Sequence, residues 1–68
     1  MHKSVLTKRE KEIFDLLILN KSTKDISYEL NISEKTVRNH ISNVMQKLNI
    51  KTRSGAILEL IKLGEISL

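Results

Sequence analysis

Residues 33–48 read SEKTVRNHISNVMQKL, and within them Lys35, Arg38, Asn39, Ser42, Asn43 and Gln46 recur at spacings that a helix gathers onto one arc. All six side chains can hydrogen-bond, yet only Lys35 and Arg38 carry charge. A face that serves only to meet solvent more often carries Glu and Lys pairs. A guanidinium, amides and a hydroxyl instead supply the donor and acceptor pattern that matches base edges in a DNA major groove. Arg38 can pair bidentately with guanine and Asn39 with adenine, while Ser42 is short enough to allow close approach. Gln46, one turn further on, reaches the groove wall.

Bond-making chemistry has no comparable set of residues. The histidines are His2, near the chain start, and His40, inside the same helix, and there is no cysteine to serve as nucleophile or soft ligand. Glu10, Glu12, Asp15 and Glu29 are spaced as helix surfaces space them, without a His-x-x-x-His pair or a carboxylate-rich loop that would hold a metal. Glycine occurs only at 55 and 64, so no phosphate-cradling loop exists. No enzyme activity, cofactor, metal or small-molecule ligand is expected. Phe14 and Tyr28 are the only aromatics, too few for a base-stacking platform, which favours duplex DNA over single strands or RNA.

Charge points the same way. Twelve Lys and Arg stand against eight Asp and Glu, and residues 34–53 hold five of the positive charges against one negative. A basic balance by itself indicates only an anionic partner. Here it coincides with the polar arc. Phosphates can be neutralised by Lys24, Lys35, Lys47 and Lys51, and bound by the backbone amides and hydroxyls of Ser22, Thr23, Ser33 and Thr36 at two helix starts.

These residues require helices to present them. Behind the polar arc, Val37, Ile41, Val44 and Leu48 recur at spacings of four, three and four, a narrow apolar stripe along a helix over 34–48. His40 projects at the edge of that stripe, either as half-buried packing or as a donor to a phosphate. Thr7 with Glu10 forms a capping box that starts a first helix over 8–19, with Ile13, Phe14, Leu16 and Leu17 as its broad apolar face. Asn20 stops it, since Asn tolerates the left-handed conformation of a helix terminus. Residues 1–5 show no periodicity and read as a frayed lead-in.

Ser22 with Asp25 repeats the capping signature, so a second helix spans 23–30 with Ile26 and Leu30 inward and Tyr28 nearer the rim. Asn31, Ile32 and Ser33 then make a three-residue turn in which Asn31 goes left-handed, Ile32 plugs the core and Ser33 caps the next helix. Helices joined so tightly cross steeply, the helix-turn-helix arrangement. A fourth helix spans 53–63, stopped by Gly64, with Ala56, Ile57, Leu60, Ile61 and Leu63 on one face. Leu58 lies about 100° from Ile57. Two readings of it stand together: Leu58, Ile66 and Leu68 cover one another at the chain end, or Ile57, Leu58 and Ile61 form a surface for self-association.

The expected fold is therefore all-α, four helices in a single domain of 68 residues. Such a short chain buries only about 60% of its unfolded surface and depends on close packing. The longest apolar run, residues 16–19, is far below the roughly 18 residues of a membrane span, and no signal-peptide segment opens the chain. Together with the absence of cysteine this fits a cytoplasmic protein. The opening Met1 suits a complete stand-alone chain and equally a piece of a longer regulator.

The residues just derived also form a known pattern. Leu6-Thr7-Lys8-Arg9-Glu10, Ser22-Thr23-Lys24-Asp25-Ile26, Leu30, Ile32-Ser33, Thr36-Val37, His40, Lys47-Leu48, Ile50, Arg53 and Ala56 closely resemble the DNA-binding domain of the LuxR/FixJ/NarL regulators. Residues 33–43 and the Gly64-Glu65 ending most resemble the GerE type, stand-alone domains regulating late sporulation genes. The resemblance implies a transcriptional regulator with base contacts from Arg38, Asn39 and Ser42, phosphate contacts from the helix starts, and a homodimer made through the fourth helix. Activation would come from contact with RNA polymerase and repression from occluding it. Asn20 and Ser27 stand where the family usually has Gly and Ala, and Ser27 then needs a hydrogen-bond partner such as a carbonyl one turn back. Region 4 of a sigma factor begins similarly and is the related alternative. A helical protein-interaction module that uses the fourth helix and binds no DNA is the alternative from another class.

Overall fold

The computed structural model describes residues 5–68. They form α1 (Lys8–Ile18), α2 (Thr23–Leu30), α3 (Glu34–Leu48) and α4 (Arg53–Lys62). Each start is set by a side chain that satisfies an otherwise orphaned amide. Thr7 Oγ1 accepts from the Glu10 amide at 3.2 Å while Glu10 Oε1 accepts from the Thr7 amide at 2.9 Å, closing the expected capping box. Ser22 and Asp25 close the second one. Ser33 and Thr52 cap α3 and α4 by accepting from Thr36 and Gly55, each at 3.0 Å.

The ends are left-handed residues as expected at Asn20 (φ 64°), Asn31 (φ 57°) and Gly64 (φ 75°). Asn49 (φ 56°), the cap that ends α3, is a further one. Helices α1 and α4 each stop one residue before the expected bound, because Leu19 and Leu63 serve as caps. Both are exposed, which corrects the placement of Leu63 on the inward face of α4. Ser27 does find a carbonyl: its Oγ donates to Lys24 O at 2.7 Å.

Three α3 residues, Val37, Ile41 and Val44, lie in the buried core with Ile13 and Phe14 of α1, Ile26 of α2, and Ala56 and Leu60 of α4. Full burial of each large side chain is worth about 1.5–3 kcal/mol. Helix α3 packs against the other three, so its orientation is set from every inward direction. In the α2–α3 turn the amides of Asn31 and Ile32 both donate to Ser27 O, and Ile32 packs against the core. The α3–α4 connection is one residue longer and closely packed. A Cβ at position 55 would meet Ile50 Cγ2 and Thr52 Oγ1 at 2.8 Å, so only glycine lets α4 begin this close to the turn.

The two ends of the described chain meet. Glu65 is buried and accepts from the amides of Val5 (3.1 Å) and Leu6 (3.4 Å), while Leu6 and Ile66 join the core. Residues 1–4, including the expected start of a frayed lead-in and His2, lie outside the described residues. At Val5 that expectation fails. Among the expected tail residues only Ile66 is covered; Leu58 is 55% and Leu68 95% exposed, so mutual cover at the chain end does not account for Leu58. Tyr28, placed near the rim, is 84% exposed.

Candidate nucleic-acid interface

The buried stripe of α3 turns the opposite arc to solvent. Arg38, Asn39, Ser42, Asn43 and Gln46 are all exposed, as is Lys35, and Thr36 is half-buried. Arg38 lies one turn from Glu34, with Nη1 3.7 Å from Oε1. An exposed pair of this kind is worth about 0–1 kcal/mol, so the guanidinium is restrained but easily released. Lys24, Lys35 and Lys51 make no ion pair among the described residues and keep their charge for a partner. The histidine on this helix, His40, is half-buried.

The expected phosphate positions divide by helix start. At α3, Ser33 Oγ and Thr36 Oγ1 lie 2.9 Å apart, and no carboxylate folds back over the first turn to cover its amides. At α2, Asp25 already occupies that place. Its carboxyl is held below the ordinary value by the Ser22 amide first and the Ser22 hydroxyl second, so an incoming anion meets a resident negative charge. Arg53, from the start of α4, offsets this by donating Nη1 to Thr23 Oγ1 at 3.4 Å. Sequence spacing marked Arg53 only as part of the family pattern; its approach to α2 links residues thirty apart.

Lys51 joins Ser42, Met45, Gln46, Asn49 and Ile50 around an open hollow of about 340 Å³ that continues the polar arc toward α4. Lys47 does not join the others. Its Nζ donates to Glu10 Oε1 at 2.5 Å and to Val5 O at 3.3 Å, on the flank of α3 that faces the start of α1. Glu10 is 4% exposed. Burial raises its pKa, and the bonds from Lys47 and Thr7 outweigh that, leaving the carboxyl below its ordinary value and charged. Sequence reasoning found half of this arrangement, the capping box, and missed the other half.

Helix α4 shows a different surface. Leu58 stands out between half-buried Ile57 and Ile61, which pack partly on the core. Among the described residues no three or more His, Cys, Asp or Glu are grouped to hold a metal, and no helix is long and apolar enough to cross a membrane.

A tight two-helix turn with a rigidly backed polar helix defines an all-helical domain of the helix-turn-helix class. The chain belongs to the bacterial regulatory proteins of the luxR family, whose pattern it matches over residues 4–60. It is 62% identical over 66 residues to the spore germination protein GerE of Bacillus subtilis, spanning 97% of this chain and 89% of that one. A solved structure of the transcription factor GerE superposes with a TM-score of 0.92 at 66% identity, covering 96% of this chain and 97% of that chain. The transcriptional regulatory protein DegU of Brevibacillus brevis is 47% identical over 60 residues, covering 88% of this chain but 25% of its own length. The protein is thus a LuxR-type DNA-binding transcriptional regulator, a homologue of GerE, and its family is one of transcription factors rather than enzymes.

Proposed function

We propose that the protein binds duplex DNA at two half-sites as a homodimer, with α3 in the major groove, and regulates genes of sporulation. Arg38, Asn39 and Ser42 read base edges; Ser33, Lys35 and Thr36 anchor one phosphate strand, and Ser22, Thr23, Lys24 and Lys51 flank it. The observation that carries this reading is the exposed polar arc of α3 on a helix whose opposite stripe is buried at Val37, Ile41 and Val44. Ile57, Leu58 and Ile61 join two copies, supported by the exposure of Leu58 beside two half-buried neighbours. The sporulation role is supported by the 62% identity to a spore germination protein. Contact with RNA polymerase is the route to activation, and occlusion of it the route to repression.

Titration of a random duplex at several salt concentrations tests the DNA contact. Affinity should fall linearly on a log-log plot with a slope of about −0.9 per neutralised phosphate. Salt-independent binding, or none, would overturn the proposal.

A further inference from the structure

Lys47 has the charge and the helix of a phosphate anchor, but the wrong neighbours. It lies about 110° round the helix from the centre of the polar arc, at 100° per residue. Its ammonium is committed to Glu10, whose side chain is 5% exposed, and to the carbonyl of Val5. Turning that ammonium to a phosphate would leave a buried carboxylate unpaired, a loss that one solvent-exposed phosphate contact does not offset. Glu10 is itself fixed by the Thr7 amide at 2.9 Å, and the Val5 amide by Glu65 at 3.1 Å. Lys47 therefore ties the last turn of α3 to a framework made from the start of α1 and the end of the chain.

We infer that Lys47 is a positioning residue for DNA reading, acting through Glu10, and not a phosphate contact. The inference rests on α3 being the groove helix. Arg38 lies nine residues before Lys47, about 13 Å along the axis at 1.5 Å per residue. A tilt of about 5° about the Lys47 end displaces Arg38 by roughly 1 Å over that length. Bidentate pairing with a base needs the fork within a few tenths of an ångström, whereas contact with the uniform phosphate charge tolerates the shift. Releasing Lys47 thus lowers affinity for a cognate site while leaving affinity for random duplex in place.

The test compares wild type, Lys47→Met, Lys47→Arg and Glu10→Gln on a cognate duplex, obtained by selection with the wild-type protein, and on random duplex across a salt series. Helix content is followed by circular dichroism at the assay temperature. Lys47→Met and Glu10→Gln should each lose about tenfold on the cognate duplex, the size of one network coupling. Together they should lose no more than either alone. The salt slope on random duplex should equal wild type, and Lys47→Arg should recover most of the loss. Should Lys47→Met fail to fold, Glu10→Gln and Lys47→Arg carry the comparison. A fall in slope of about 0.9 with equal loss on both duplexes would make Lys47 a phosphate anchor and overturn the inference. So would wild-type behaviour of Glu10→Gln and Lys47→Met. If wild type itself binds random duplex without salt dependence, the proposed function fails first, and that result is distinct from either.

Discussion

Helices α3 and α4 bury similar stripes and present opposite chemistry to solvent. Val37, Ile41 and Val44 in one, and Ala56 and Leu60 in the other, lie in the same core. Outward, α3 shows Arg38, Asn39, Ser42 and Gln46, whereas α4 shows Leu58 between Ile57 and Ile61. Hydrogen-bonding groups on a rigid helix suit a partner that is itself a pattern of donors and acceptors. An exposed leucine on a short helix suits an apolar partner, and a second copy of the same face supplies one. Under the proposed function, α3 recognises DNA and α4 another copy.

If the inner stripes are equivalent, truncating either should have the same large effect. Ile41→Ala and Leu60→Ala should each lower the unfolding free energy by about 2–5 kcal/mol, measured by urea denaturation. A value near zero for either would mean that its helix is not part of the common core. The outer faces should separate. Leu58→Lys should shift a sedimentation profile from dimer toward monomer and leave helix content unchanged. An unchanged profile would remove Leu58 from the self-association surface.

The smallest effect concerns the tie between α3 and α1. The carboxyl of Glu10 lies below its ordinary value in the folded protein, so its contribution is fully present above the unfolded value of about 4.3 and is lost as pH falls through the depressed one. Acid unfolding curves of wild type and Glu10→Gln should therefore converge below that range and diverge above it. Parallel curves would show that Glu10 gains nothing from Lys47.

Much of this molecule was readable from spacing because its determinants are local. Capping boxes at Thr7 with Glu10 and Ser22 with Asp25 span three residues, and the left-handed stops at Asn20 and Asn31 are single positions. The two faces of α3 follow from a period of 3.6 residues. What spacing missed are contacts between distant segments. Glu10 read as a helix-surface carboxylate because its partner Lys47 lies thirty-seven residues away. Glu65 read as part of an ending because its partner Val5 lies sixty residues back. Gly55 carried no visible signal, since its requirement comes from Ile50 packing where a Cβ would stand. The candidate readers were legible for the same local reason as the helix that bears them, and the pairing of Lys47 with Glu10 was not, because charge and helix membership do not reveal which flank a neighbour fills.

The central assignment, that α3 separates base readers from phosphate anchors, is tested most directly by comparing Arg38→Ala with Lys35→Ala on a cognate duplex and its single-base variants. Arg38→Ala should lose about 1–3 kcal/mol of binding free energy and relax preference at one base pair, while Lys35→Ala should weaken every sequence alike and reduce the salt slope by about 1. Identical behaviour of the two variants across the series would contradict it.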